Sequence, residues 1–157
     1  MDRTSQHEKW LRQCFHLAQQ ARERGDHPFG ALLVSAEGEC LMEAENTVET
    51  AADITGHAEL NLIRRARQQF SADRLATCTL YTSTEPCPMC AGAIFWGNVR
   101  KVVFGLSEAG LYSLTGDSEE VLQLSCRTVF DHGAKAIEVI GPLLEAEARQ
   151  VHEGFWN

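Results

Sequence analysis

Two short stretches of the sequence contain residue types that bind metals and move protons. HAEL occupies positions 57–60, and TSTEPCPMC occupies positions 82–90. They offer three zinc donors, His57, Cys87 and Cys90, and place the carboxylate of Glu59 close to one of them. A catalytic zinc site uses three protein ligands and leaves the fourth position to water. The pattern therefore predicts a hydrolytic zinc centre in which Glu59 moves protons.

The setting of the two cysteines favours this interpretation. Cys87 and Cys90 are three residues apart at the predicted start of a helix, so both sulfurs can lie on one face of its first turn. A helix N-terminus carries partial positive charge, which favours thiolate over thiol. His57 also opens a predicted helix, so two helix N-termini can converge on one metal. A carboxylate that shuttles protons in a dry pocket suits the hydrolytic removal of an exocyclic amine.

Three other interpretations of the cysteine pair remain open at this stage. A structural zinc site needs a fourth protein ligand, and Cys78 or His27 would have to supply it without the usual paired spacing. A thioredoxin-like redox pair would follow an early strand, and it would leave His57 and Glu59 without a role. A zinc-binding module without catalytic activity is the third alternative.

Alternating patterns of strand and helix surround the two motifs. Helices are predicted at 7–24, 57–69, 89–97, within 118–129 and at 142–157, and strands at 29–34, 40–46, 78–83, 101–106 and 136–141. The segment 107–118 is predicted to be a loop. This order predicts an α/β fold, a three-layer α/β/α sandwich with a five-stranded mixed sheet, in a single domain over residues 1–157.

Charge and hydropathy restrict the partners that the chain can have. The 157 residues carry a net charge of −8, which argues against nucleic acid as a partner because nucleic-acid-binding proteins usually show a basic footprint. No apolar run approaches the ~18 residues of a membrane span. The polar N-terminus MDRTSQHEKW lacks the apolar stretch of a secretory signal. We therefore expect a cytoplasmic protein with no membrane partner.

The two motifs and their surroundings resemble the zinc-dependent cytidine deaminase superfamily. Its H-x-E…P-C-x-x-C signature includes a glutamate that is not a zinc ligand. The segments PFGALLV, HAEL, TSTEPCPMCAGAI and KVVFG, and the EN of AEN, occur in the family's order over nearly the whole chain. The resemblance implies one Zn²⁺ per chain on His57, Cys87 and Cys90, with Glu59 as the proton shuttle. It also implies that activated water attacks the amine-bearing ring carbon and that ammonia is released.

The resemblance further implies which groups contact the substrate ring. Asn46 would form a hydrogen bond with the base, and the N–H of Ala58 would meet its oxygen. The main-chain carbonyl of Glu85 would receive the departing amine. Phe29 would pack near the ring.

Three aromatic residues are candidates to cover the substrate. HPFGALLV, AIFWG and the aromatic end GFWN look most like the free-base deaminases, which cover a small ring with aromatic side chains. Trp96, Phe155 and Trp156 are the candidates for this cover, and the alternative is that they pack in the core or at a dimer interface. Glu108 or Asp117 is the candidate carboxylate that accepts from ring N–H groups, and the alternative for either residue is a solvated position on the surface.

The substrate and the oligomeric state follow only from the resemblance. It favours a free 2-amino-4-oxopyrimidine ring, as in isocytosine or guanine, with cytosine as the next candidate. A tRNA adenosine deaminase has a similar HAE and PCxMC core, but it would have to hold an RNA stem against phosphate repulsion. Free-base deaminases of this family are commonly homodimers. The helix at 89–97 and the loop at 107–118 are the expected interface.

Overall fold

Eight helices and five strands alternate along residues 2–116 and 118–156, which are the residues that the computed structural model describes. In chain order they are α1 (Arg3–Arg24), β1 (Gly30–Val34), β2 (Cys40–Glu45), α2 (Val48–Ala51), α3 (Ala58–Gln69), α4 (Ala72–Leu75), β3 (Thr79–Thr84), α5 (Pro88–Trp96), β4 (Lys101–Leu106), α6 (Glu108–Thr115), α7 (Cys126–Asp131), β5 (Glu138–Ile140) and α8 (Glu145–Gln150). None of these helices is both long enough and apolar enough to cross a membrane.

The strands form one mixed sheet in the order β2-β1-β3-β4-β5. β1 runs antiparallel to β2 and to β3, whereas β3, β4 and β5 run parallel to one another. Every residue of β1, GALLV, is buried, as a strand covered on both faces of a sheet requires. The predicted hairpin and the predicted five-stranded mixed sheet are confirmed.

Helices cover both faces of this sheet and complete the three predicted layers. Successive side chains of a strand point to opposite faces, and β1 divides accordingly. Leu32 and Val34 pack with the apolar side of α1. Ala31 and Leu33 pack in the larger core with residues of α3, α5 and α7. The sheet therefore holds α1 on one side and the two helices that carry the zinc motifs on the other.

The first helix and the segment 107–118 differ from the sequence predictions. α1 starts at Arg3, four residues before the predicted start, because Asp2 caps it by accepting from the Ser5 N–H at 2.8 Å. The prediction of a loop over 107–118 is wrong, because α6 occupies Glu108–Thr115. Its N-cap is Ser107, whose hydroxyl accepts from the N–H of Gly110. Gly110 weakened the helical pattern in the sequence.

The last two predicted helices are shorter than expected. The helix predicted after Ser118 begins only at Cys126, because Ser125 is the residue that caps it. The helix predicted at 142–157 is reduced to Glu145–Gln150. Leu144 has a left-handed backbone conformation with φ of 54°, so helical geometry cannot extend back to Pro142. Residues 151–155 continue as turns.

Candidate metal centre and substrate cavity

Three potential metal ligands converge where α3 and α5 begin. Nδ1 of His57 lies 3.4 Å from Sγ of Cys87 and 3.5 Å from Sγ of Cys90. A tetrahedral zinc ion with ordinary Zn–S and Zn–N bond lengths spaces such a nitrogen and sulfur by about 3.6 Å. All three ligand atoms lie within 4.8 Å of one another, and the group is the one such cluster in the described part of the chain. The donor set therefore fits a zinc ion.

A buried amide fixes the loop that delivers His57. Nδ2 of Asn61 donates to the carbonyl of Glu45 at 3.0 Å, to Oγ1 of Thr47 at 3.0 Å and to the carbonyl of Gly56 at 3.3 Å. A Cβ atom at Gly56 would lie 2.8 Å from Oγ1 of Thr47, so a larger residue would push these groups apart. The loop between β2 and α3 is thereby closed, and His57 starts α3 beside the cysteines.

The cysteine loop favours the thiolate form that zinc binds. Cys87 is the N-cap of α5, and Pro88 occupies the first turn, where its missing N–H costs no helical hydrogen bond. Hydrogen bonding with Cys90 and with His57 lowers the pKa of Cys87 to about 4, although burial acts in the opposite direction. The thiolate, not the thiol, is the metal ligand.

Glu59 is a buried carboxyl in the first turn of α3, and it lines the same cavity as His57 and Cys87. Its exposed fraction is only 7%. Burial, followed by the negative charge of Cys87, raises the pKa of Glu59 to about 7. A carboxyl with such a pKa can both accept and donate a proton near neutrality.

The cavity in front of the donors has a volume of about 690 Å³, within the ordinary range for small-molecule sites. On one side it is lined by residues at the ends of the strands, by α2, by the start of α3 and by the loop that leads into α5. On the other side it is lined by α6 and by residues 118–125, which we call the strap. The strap connects α6 to α7 and contributes Ser118, Glu120 and Val121 to the cavity.

Three of the residues expected to contact the substrate, Asn46, Phe29 and Glu85, line this cavity. Asn46 is 1% exposed and lines it. The Val48 N–H donates to Oδ1 of Asn46 at 3.0 Å, which leaves Nδ2 as the end of the amide that can donate to a ligand. Phe29 also lines the cavity. Ala58 is the first residue of α3, so its N–H has no acceptor within the helix.

The C-terminal aromatic residues form one side of the cavity mouth. Phe155 and Trp156 line it, and their ring centroids are 4.7 Å apart in an edge-to-face arrangement. Nε1–H of Trp156 donates to Nδ1 of the buried His152 at 2.9 Å. Trp156 also contacts Phe29, at 6.1 Å between centroids, and His27, at 5.7 Å. These contacts join the end of the chain to the segment that precedes β1.

The structure does not bring every predicted residue to the cavity. Trp96 ends α5, is 80% exposed and lies beside Gly92, outside the cavity lining. Glu108 begins α6 and is 8% exposed, but its buried carboxyl is also outside that lining. Burial, followed by the charge of Glu85, raises the pKa of Glu108. The alternative carboxylate, Asp117, lies outside the described residues.

Several lining residues were missed by the sequence analysis. Thr84 directly precedes the cysteine loop and could have been found from TSTEPC, and His27 from HPFG. Tyr112 was hidden because its helix was predicted to be a loop. Glu49 belongs to α2, a single short helical turn without a hydrophobic pattern. Asp26 holds that turn, since Oδ1 accepts from the N–H groups of residues 49 and 50.

Residues 4–106 match the family model of the cytidine and deoxycytidylate deaminase zinc-binding region. The chain belongs to this family. It is therefore a zinc-dependent deaminase, a hydrolase that acts on C–N bonds, and the resemblance noted in the sequence is confirmed.

Relatives of this deaminase have different substrates. A probable cytosine deaminase of Schizosaccharomyces pombe is 43% identical over 153 residues, which cover 94% of this chain and 91% of that protein. A tRNA-specific adenosine deaminase of Bacillus subtilis is 36% identical over 153 residues, covering 98% and 90%. A guanine deaminase of the same bacterium is 42% identical over 99 residues, covering 62% and 63%. Family membership thus establishes the reaction class. The identity of the substrate has to be argued from the residues that line the cavity.

Proposed function

We propose that this deaminase acts on a free amino-oxo nucleobase rather than on a base held in RNA. One observation carries the proposal. Among the described residues, the cavity lining includes four glutamates and two histidines but no lysine or arginine; the glutamates are Glu49, Glu59, Glu85 and Glu120. A site that holds a nucleic acid or a nucleotide needs cationic contacts to phosphate. This lining repels phosphate and admits a neutral ring.

The hydrogen-bonding groups of the cavity suit one edge of such a ring. Cytosine, isocytosine and the six-membered ring of guanine share a carbonyl, a ring nitrogen and an amine-bearing carbon in sequence. The Nδ2 group of Asn46 and the N–H of Ala58 are donors for the carbonyl oxygen. The carboxyl of Glu59 would face the unprotonated ring nitrogen next to the amine-bearing carbon, which lies between that carbon and the carbonyl in cytosine and on its other side in guanine. Adenine lacks the carbonyl and would leave these donors with a poorer partner.

His57, Cys87 and Cys90 would hold the zinc, and zinc in such a site supplies Lewis-acid activation of water. The residues of the chain would move the protons, bind the leaving amine and cover the ring. Glu59 would take a proton from the attacking water and give it to the ring nitrogen, and would then take the proton of the new hydroxyl group and give it to the leaving amine. The main-chain carbonyl of Glu85 would accept a hydrogen bond from the departing ammonia. Phe29, Phe155 and Trp156 would cover the ring and exclude bulk water.

The 2-amino-4-oxopyrimidine ring of isocytosine and guanine stays our first candidate, and cytosine stands beside it. The similarity to the probable cytosine deaminase, which extends over 94% of this chain, supports cytosine. The similarity to guanine deaminase covers the part of the chain that carries the zinc motifs. All three bases carry a carbonyl and an amine-bearing carbon flanked by an unprotonated ring nitrogen. In cytosine this nitrogen lies between the two carbons, and in guanine it lies on the other side of the amine-bearing carbon. The choice among them depends on the α6 and strap side of the cavity.

A tRNA adenosine deaminase is the second candidate, because a relative with that activity aligns with 98% of this chain. The two functions are distinguished by ammonia release from isocytosine, guanine, cytosine, cytidine, adenine and an adenosine-containing tRNA stem-loop. Glu59→Gln serves as the blank. We expect release from one of the three oxo bases. Release from the stem-loop alone would overturn the proposal, and zinc binding without turnover of any compound would favour a non-catalytic module.

We also propose that a second copy of the chain covers the outer face of α5. Trp96 is 80% exposed and Met89 37% exposed on this short apolar helix. Residues seven apart lie on the same face of a helix, so Met89 and Trp96 form one exposed apolar patch, and such patches mark interaction surfaces in many proteins. Sedimentation velocity should give twice the chain mass of 17.4 kDa, and Trp96→Lys should halve it. A monomeric wild-type protein would contradict the proposal.

The cytoplasmic location remains our proposal as well. All six cysteines are free thiols in the structure, which suits a reducing compartment. Fractionation of cells that produce the tagged protein would test it, and recovery from a secreted fraction would contradict it.

A further inference from the structure

The side chain of Glu85 connects three segments of the chain. Its Oε1 accepts from the N–H of Glu108 at 3.0 Å. Its Oε2 accepts from Oγ of Ser125 at 2.9 Å and from the N–H of Cys126 at 3.2 Å. Glu85 itself stands two residues before Cys87. One carboxylate therefore holds the start of α6 and the start of α7 against the metal loop.

The two points held by Glu85 are the two ends of a cavity wall. α6 and the strap lie between Glu108 and Cys126, and they contribute Leu111, Tyr112, Glu120 and Val121 to the cavity. The strap has few anchors of its own, since Leu122 and Leu124 are 64% and 43% exposed. Oη of Tyr112 donates to the carbonyl of Leu122 at 3.2 Å, which ties the strap to α6 but not to the metal loop. Glu85 is thus a direct hydrogen-bonded link between both ends of this wall and the metal loop.

We propose that the Glu85 side chain is a positioning residue that sets the cavity wall for substrate binding. This inference rests on the proposed function, because it names what determines the fit of that site. The side chain acts through α6 and the strap and does not itself need to touch the substrate. Its role is separate from that of its main-chain carbonyl.

Only a carboxylate can accept hydrogen bonds at both ends of the wall. Its two oxygens accept on both sides, whereas glutamine has one oxygen and one NH₂ group. In Glu85→Gln the NH₂ group must face either the Glu108 N–H or the Cys126 N–H, and two donors cannot bond to each other. One end of the wall is then released, while the size and shape of the side chain are kept.

Steady-state kinetics on the best free base test this role. Glu85→Gln should raise KM about tenfold, the loss expected for one charge-assisted hydrogen bond, with kcat within about threefold and full zinc content. Glu145→Gln is the matched control. Glu145 accepts from the N–H and Oγ of Ser107 at the same helix start, but it has no bond to α7. The control should leave KM within about twofold. An unchanged KM in Glu85→Gln, or an equal rise in the control, would overturn the inference.

Hydrogen exchange tests the same inference without any substrate. In Glu85→Gln, peptides from 108–116 or from 118–126 should exchange faster than in the wild type. Ser125→Ala removes the bond to Glu85 and the cap bond from the Arg127 N–H, both at the start of α7, so only peptides from 118–131 should do so. Equal exchange in both variants and the wild type would reject the inference. If the wild type turns over none of the bases, the proposed function fails while the exchange result still decides the role of Glu85.

Discussion

The two sides of the cavity are built in different ways. The donor side is formed by buried strands and by the first turns of α3 and α5, and it lies within residues 4–106, which match the family model. The opposite side, with α6, the strap and the C-terminal aromatic pair, comes after residue 106. It is held by a few side-chain hydrogen bonds rather than by the sheet. From this difference we infer that the donor side carries the chemistry and that the later segments select the substrate. Mutations on the donor side should therefore change mainly kcat, and mutations on the opposite side mainly KM.

The largest expected effect is on the donor side. Glu59→Gln should lower kcat by about a thousandfold, because it removes the group that would move protons at each step. Zinc content, measured by atomic absorption, should not change, since Glu59 is not proposed as a ligand. Activity close to that of the wild type would remove Glu59 from the mechanism.

The next effect concerns the metal. Cys87→Ala should lose zinc and lower the melting temperature by about 10 °C, because metal binding contributes to folding stability. Cys40→Ala is the matched control, since Cys40 is an exposed free thiol away from the donor cluster. Differential scanning calorimetry with a zinc assay measures both. Full zinc occupancy in Cys87→Ala would reject Cys87 as a ligand.

A smaller and different effect is expected at the C-terminal aromatic pair. Trp156→Ala should raise KM about tenfold through loss of buried aromatic contact with the substrate. Zinc content should stay full and kcat should change by less than about threefold, because the donor side is intact. Trp156→Phe keeps a ring and should recover most of the loss. A fall in kcat with constant KM would mean that the two sides are not separable.

An effect that is independent of the chemistry on both sides of the cavity is a pH dependence of stability at His152. Burial, and then the charges of Arg22 and Arg149, lower the pKa of His152 from 6.5 to about 4. The folded protein therefore keeps the ring neutral, whereas the unfolded chain binds a proton near pH 6.5. The stability from this difference is complete above about pH 6.5 and is lost as the pH falls towards 4. It is on the order of 3 kcal/mol at most.

Urea unfolding between pH 4 and 7.5 measures this dependence. His152→Gln can still accept from Trp156 but cannot bind a proton, so its unfolding free energy should fall less steeply with decreasing pH than that of the wild type. The difference between the two proteins isolates the histidine from the other groups that titrate in this range. Parallel curves would show that His152 contributes nothing to the pH dependence.

The sequence predicts the donor side well because its signals are local. His57 and Cys87 stand at helix starts, and Gly97 and the apolar run KVVFGL mark the neighbouring boundaries. The strand over 101–106 agrees with the structure residue for residue. Hydrophobic patterns and helix caps are formed by residues that are close together in the sequence. The mixed sheet and the residues of the zinc cluster can therefore be predicted from the sequence.

The opposite side is predicted poorly because long-range contacts decide it. Ser118 and Ser125 are equally good caps by type, and the carboxylate of Glu85, forty residues from Ser125, favours the latter. Glu108 was assigned to the ring by its charge, yet it is buried away from the cavity lining. Trp96 was assigned to the cover by its type, yet it ends α5 in solvent. For Glu108 and Trp96 the residue type alone does not show where the side chain lies in the fold.

A competition assay tests the central claim most directly. The wild-type enzyme receives the best free base and an adenosine-containing tRNA stem-loop in one tube, and mass spectrometry measures both products. Four glutamates and no lysine or arginine are among the described residues that line the cavity. We therefore expect the free base to be deaminated and the adenosine of the RNA to remain unmodified. Inosine in the RNA beside an unchanged base would contradict the account and assign the enzyme to RNA modification.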